Sequence, residues 1–324
     1  MALQSGGDNF GGTQQYPVFK QIEQAANATM VAAGDTLYIE GSVEDYNGAT
    51  IQKRLVIIGA GYLLDENPNS SVLPHQTRVF SISFSPTASG SEVMGVWLSA
   101  GVTSASIASS NVTVKRCRIQ GQIGLSSTVF NVRIIQNFFS NSSQSNAITA
   151  IATPYDIVFN NNIVRCPLSD PDILFSEIKN NVFDPPTPAG SNVSIRVNTS
   201  SFQNNILKNP AATVIINNGN TQDVMYNTGA SASQFGTANN NIVANMAALF
   251  VDPAPNSTDG DYQLKPGSTP GSDGAERGAF GGAIPTARYS LSGLAPIPVI
   301  YSLQTSGVAT STGMPVNLKA RTIQ

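Results

Sequence analysis

A short segment returns through the middle of this 324-residue chain, and its recurrence limits the fold more than any other feature. NVTVKRCRIQG from Asn111, NVRIIQNFFSN from Asn131, DIVFNNNIVRC from Asp156, ILFSEIKNNVFDP from Ile173, SFQNNILKNP from Ser201 and ANNNIVANM from Ala238 share one layout. A β-branched or aromatic run reaches Asn or a polar pair, and an apolar pair follows. Aligned on the residue before that pair, the positions are Arg118, Asn137, Asn162, Asn181, Asn205 and Asn241, with steps of 19, 25, 19, 24 and 36. The last step leaves room for a weaker coil between Asp223 and Gly229. A unit of this length is the period of a solenoid. Apolar residues alternate with period two in Val112/Val114, Val132/Ile134 and Ile157/Phe159, which excludes helical repeats. Leu is not the recurring residue, which argues against leucine-rich repeats.

The fold that satisfies this pattern is all-β, a right-handed parallel β-helix. Each coil gives short strands that pair with equivalent strands above and below, and inward side chains stack on their counterparts. Asn suits one corner of every coil, because it tolerates the left-handed conformation of tight turns and hydrogen-bonds to the Asn of the next coil. Asn137, Asn162, Asn181, Asn205 and Asn241 are therefore read as a structural ladder. LVIIGAG from Leu55, VFSISF from Val79 and EVMGVWLSAG from Glu92 extend the repeat backwards, giving roughly ten coils over residues 36–252. With about 4.8 Å between coils, the rod core is roughly 50 Å long.

An open solenoid end invites strand pairing, so it needs a cap. In residues 1–35, the segment YPVFKQIEQAANA places Val18, Phe19, Ile22, Ala25 and Ala26 at helical spacing, which predicts a capping helix. Residues 253–324 are less regular. Pro and Gly cluster up to residue 282, which predicts a last coil and an extended loop. The strand-like runs APIPVIYSLQ and PVNLKARTIQ would then cover the C-terminal edge or pair with another molecule.

Charged residues are only 11% of the chain and the net charge is −3, with no basic run of the kind nucleic acid demands. No apolar stretch is long enough for a transmembrane helix. Met1 to Asn9 lacks the charged-then-apolar order of a signal peptide. The uncharged polar composition favours an extracellular or cell-surface chain whose leader has been removed. Cys117 and Cys166 lack metal-ligand spacing. They are either two buried thiols or, in an oxidising compartment, a disulfide between coils.

Two stretches carry a family resemblance. AANATMVAAGDTLYIEG and ATIQKRLVIIGAG resemble the start of pectin-lyase-like right-handed β-helix proteins, with Gly34, Asp35 and Thr36 in the turn that leads into the first strands. DYQLKPGSTPGSDGAERGAFGG and SGLAPIPVIYSL resemble the end of secreted β-helix proteins of Bacteroidetes-type bacteria. The resemblance implies fold and secretion. It does not imply one activity, because that superfamily holds lyases, hydrolases, adhesins and phage tailspikes.

A search for chemistry finds little. Hydrolysis of the polygalacturonase kind needs paired carboxylates and resembles a family with Asn-Thr-Asp, Asp-Asp and Gly-His-Gly motifs, none of which occurs. The sole histidine, His75, lies in a polar loop. Calcium-dependent elimination needs gathered carboxylates and a base. The best candidates are Asp170, Asp172 and Glu177, with Arg165 or Lys179 nearby. Glu44 with Asp45, and Asp259, Asp261 and Asp273, are weaker sets for Ca²⁺; no other cofactor is implied. No nucleophile elbow or nucleotide loop is present. Glycan binding asks for exposed aromatics beside Asn, Ser and Thr; Tyr46, Trp97, Tyr155, Tyr226 and Tyr262 are the candidates. The expectation is a secreted or surface, non-catalytic structural or adhesive protein that meets polysaccharide and pairs with itself through its tail or ends. A polysaccharide lyase or hydrolase, or a tailspike-like receptor binder, is the alternative.

Overall fold

The computed structural model describes residues 2–3, 17–67, 75–126, 128–143, 145–190, 192–217, 223–254, 256–269, 271, 273–305 and 313–322. The chain winds as a parallel β-solenoid of about nine turns, slightly fewer than its repeat predicts. Three parallel sheets form the rod, the third of them ending at Ile148–Ala150. The first includes Thr36–Ile39, Val56–Gly59, Glu92–Met94, Thr113–Lys115, Phe130–Ile135, Tyr155–Asn160 and Leu168–Lys179. The second stacks two-residue strands from Arg78–Val79 through Phe138–Phe139 and Val182–Phe183 to Ile242–Val243. The third holds Ala49–Ile51, Ile82–Phe84, Thr103–Ile107, Gln122–Leu125 and Ile148–Ala150. The helix Ile22–Asn27 buries Ile22, Ala25 and Ala26 at the first coil. It is shorter than its spacing suggests, because Val18–Phe19 is a strand paired with Ala2–Leu3. No helix among the described residues is long and apolar enough to cross a membrane.

The corner between the first and second sheets explains the recurring Asn. One residue there takes positive φ: Gly95, Arg116, Gln136, Asn161, Asn180, Asn204, Tyr226 and Asn240 in successive coils. From Gln136 onward the next residue is an Asn that points inward and satisfies the corner's backbone. Asn162 Oδ1 accepts from the Asn137 backbone N–H at 2.8 Å and from Asn137 Nδ2 at 3.1 Å. Asn181, Asn205, Asn227 and Asn241 repeat this contact for the coil before each. Asn227 belongs to the weak coil inside the 36-residue step. At the other end the column contains Cys117, one residue before the aligned Arg118; its N–H donates to Asn137 Oδ1 at 3.0 Å. Both cysteines are free and buried, so no disulfide joins the coils. Burial, above all, pushes each thiol up to about 12.

Four two-residue strands of the second sheet feed two cores. Phe139, Val164, Phe183 and Leu207 point into the rod, while Phe138, Ile163, Val182 and Ile206 point out and are equally buried. Inside, Phe159, Phe183 and Phe202 stack along the axis with centroids 6.4 and 6.2 Å apart. Phe235 of the short helix Ala232–Phe235 closes the column.

The outward set is covered by the segment read from sequence as an extended loop. It returns along the second sheet as a strap, towards the first coils. Arg277 Nη1 donates to the Asn227 carbonyl at 2.8 Å, and Gly278 N–H to that of Asn204 at 2.9 Å. Asn161 Nδ2 donates to the Ala279 carbonyl, Gln136 Nε2 to that of Thr286, and Arg116 Nη1 to that of Leu294, each at 2.9 Å. The strap thus reads the positive-φ column coil by coil. It lies so close that a Cβ at Gly278 (φ +81°) would fall 2.9 Å from Ile206 Cδ1. Beyond Ala295, which packs on Ile58 and Met94 near the first coils, Pro298–Thr305 and Val316–Thr322 pair antiparallel as a hairpin. The tail strands therefore pair with each other, and the hairpin's root lies far from the C-terminal edge they were expected to cover.

Candidate functional site

Asp170, Asp172, Glu177 and Lys179 lie along the strand Leu168–Lys179. Asp170 Oδ2 accepts from the Ala150 N–H at 2.9 Å, and its other oxygen accepts from the Asp172 N–H. Glu177 faces out from the first sheet, held by Lys179 Nζ at 2.8 Å and Asn160 Nδ2 at 2.6 Å. Partial burial pushes its carboxyl up, but the hydrogen bond and charge of Lys179 and the hydrogen bond from Asn160 outweigh this and hold it below the ordinary range. Arg165 follows a second-sheet strand, with its N–H on the Phe139 carbonyl. Asp45 pairs with Arg78 at 3.0 Å, Glu44 is exposed at a turn, and His75 is exposed. Among the described residues no three His, Cys, Asp or Glu side chains gather to hold a cation.

The tail carboxylates are turn-formers. Asp261 accepts from the Ala254 N–H, and Asp273 from those of Ala275 and Ala283. Asp259 is fully buried within the strap; it accepts from Tyr289 Oη at 2.9 Å and the Ser292 N–H at 2.7 Å, and it bonds Ser257 Oγ. Tyr289 Oη lies 2.6 Å from Tyr62 Oη. Burial first, and Asp259's charge second, raise both phenols.

Burial also pushes the Asp259 carboxyl above its usual range, against the opposing pull of its three donors. The folded state then holds that proton more tightly than the unfolded chain does. Its stabilising contribution is complete below the ordinary carboxylate value of about 4 and is lost as pH rises through the folded value. The Tm advantage of the parent over Asp259→Asn should therefore shrink as pH climbs from about 4 towards neutrality. Melting curves of both proteins across that range test this; a constant or growing gap contradicts it.

The aromatic candidates separate clearly. Tyr46 is 1% exposed and donates to the Glu40 carbonyl, so it is core. Tyr262 is buried against Phe138 and Phe250 and donates to Asp184. Tyr226 lies under Arg277, and Trp97 is clamped between Arg78 and Arg118, whose guanidinium carbons sit 4.2 and 4.1 Å from its ring centroid. Tyr155 alone of these is open, 45% exposed. It stacks on Phe130, 41% exposed, at 5.4 Å and 17°.

Phe130 is not among the aromatics singled out by sequence, but the ladder gives its signal. Phe130, Tyr155 and Leu174 each stand seven residues before a ladder Asn, and in the fold they form one exposed row. Phe130 lies opposite Tyr155 in register, and the Leu174 N–H donates to the Pro154 carbonyl. One residue on, Asn111, Asn131 and Asp156 all take positive φ and are exposed. Asn131 Nδ2 donates to Asn111 Oδ1 at 2.8 Å, and Asn111 Nδ2 to Ser89 Oγ at 3.0 Å. The corner therefore presents flat apolar rings beside a row of amide and carboxylate groups.

No family model, curated protein or solved structure matches this chain. The parallel solenoid stands on the geometry itself, and the pectin-lyase-like and Bacteroidetes-type likeness rests on the motifs quoted above.

Proposed function

We propose that this chain is a non-catalytic structural and adhesive module of the pectin-lyase-like kind, secreted or held at a cell surface, that meets polysaccharide along the corner leading into its first sheet. The observation that carries the reading is the exposed, parallel Phe130–Tyr155 pair with Asn111, Asn131 and Asp156 alongside. Sugar rings stack their C–H faces on such aromatics and bond their hydroxyls to flanking amides and carboxylates. The fixed spacing between coils repeats that chemistry along a polymer. Glu177 and Lys179, expected as catalytic groups, neutralise each other in this reading.

The test is affinity electrophoresis in gels containing neutral or acidic polysaccharides, comparing the parent with a Phe130→Ala/Tyr155→Ala variant. Both rings are outside the core, so the melting temperature should hold while retardation weakens by roughly tenfold. A parent that no polymer retards, or a variant retarded equally, refutes the reading.

The module also joins copies of itself. The hairpin sets Ile300, Leu303, Val316 and Leu318 half exposed on an isolated two-stranded ribbon, an arrangement of marginal stability in water. Residues 298–322 contain Lys319 and Arg321 and no acid, whereas the whole chain carries −3. That charge contrast makes the body of a second copy the fitting occupant.

A further inference from the structure

A cavity of about 550 Å³ opens just past the second-sheet strands Val182–Phe183 and Ile206–Leu207, where the strap begins. Its walls are Asp184, Lys208, Asn209, Pro210, Met246 and Phe250, with Asp252 at the mouth. The repeat positions its polar side. Asp184 and Lys208 occupy the same place in successive coils, three residues after ladder residues Asn181 and Asn205. Their N–H groups bond the carbonyls of Val164 and Phe183 in the coils before. The strap supplies the rest: Asp252 from the chain after the helix Met246–Leu249, and Tyr262, whose hydroxyl donates to Asp184 Oδ2 at 3.0 Å.

Lys208 Nζ lies 3.8 Å from Asp184 Oδ2 and 3.4 Å from Asp252 Oδ2. It also sits 5.2 and 5.0 Å from the ring centroids of Phe250 and Tyr262. Acceptors and a donor therefore alternate within one ion-pair length of each other. This pattern selects its ligand by charge. An anion meets two carboxylates, a simple cation meets the ammonium between them, and an apolar molecule leaves all three groups unmatched. A vicinal diol fits, since each hydroxyl donates to a carboxylate and accepts from the ammonium. Pro210, Met246 and Ala247 give the apolar wall that the C–H face of a ring needs. The volume lies within the usual span of small-ligand pockets.

We propose that this cavity binds a single neutral pyranose ring, through vicinal hydroxyls held by Asp184, Lys208 and Asp252. The ligand class rests on the carbohydrate reading above, but the site shares no residue with the Phe130–Tyr155 corner. The experiment is saturation-transfer NMR on the full chain with methyl glycosides of glucose, galactose and mannose, and with methyl glucuronide as the anionic comparator. At least one neutral glycoside should show transfer and the glucuronide markedly less. Lys208→Met should weaken the neutral ligand by roughly tenfold. Asp252→Asn, at the exposed mouth, should weaken it with the melting temperature intact, which guards against a folding defect at Lys208. The Phe130→Ala/Tyr155→Ala variant should keep the signal even where it loses polymer. Silence from every neutral glycoside, a glucuronide bound as well as they are, or binding unchanged in both cavity variants overturns the proposal. Polymer binding that survives any of these results leaves the corner reading standing by itself.

Discussion

Asn181→Ala should destabilise the rod by about 3–5 kcal/mol, far beyond the loss of one ordinary hydrogen bond. Asn181 is fully buried in mid-column. Its Oδ1 accepts from both the N–H and the side-chain amide of Asn162, at 2.9 and 3.1 Å. Its Nδ2 donates to the Phe159 carbonyl at 2.8 Å and to Asn205 Oδ1 at 2.9 Å. Alanine strands the Asn162 N–H in a place water cannot reach, and a buried donor without a partner costs about 1–3 kcal/mol by itself. Cys117→Asn should do the reverse or nothing. It extends the column by one rung beside Asn137 with little change in volume. Urea denaturation of the two variants decides the matter; a loss below about 1 kcal/mol for Asn181→Ala would show that the ladder does not carry the corner.

Ending the chain after residue 252 should abolish the fold, while ending it after residue 297 should leave the melting temperature in place. The shorter chain exposes Phe138, Ile163, Val182 and Ile206, each worth about 1.5–3 kcal/mol when buried. It also strips Arg116, Gln136 and Asn161 of their strap carbonyls. Together these exceed much of the 5–15 kcal/mol that holds a typical domain. The chain ending at 297 keeps all of them and loses only the hairpin, so light scattering should find it smaller in assembly than the full chain. Equal masses per particle, both monomeric, remove self-association; a folded chain ending at 252 removes the structural role of the strap.

The repeat was legible because one rung needs one side chain. The short Asn carboxamide offers an acceptor to the previous coil and donors to a carbonyl at once, so it recurs and marks the phase. Where another residue fills the rung the signal slips, as it does at Cys117, one place from the aligned Arg118. The inner and outer faces of the second sheet were not legible, since a strand of two residues shows no alternation. Nor was the strap. Its partners, Arg116, Gln136, Asn161 and Asn204, share a backbone conformation but no one residue type, and the strap meets Arg116, Gln136 and Asn161 through its own carbonyls. The aromatic corner lay between these cases. Tyr155 stood out as an aromatic, but Tyr46 was equally plausible until its ring proved to fill the core.

The strap has a consequence for how the chain matures. A solenoid ordinarily closes coil upon coil as it is made, each coil complete once its neighbour is laid down. Here Tyr62 meets Tyr289 across 227 residues, and Arg116 meets Leu294 across 178. The earliest coils therefore wait, with one flank bare, until nearly the whole polypeptide has been synthesised. A chain threaded through a membrane pore from its N-terminus would remain only half sealed during passage, and would lock when its last segment arrived.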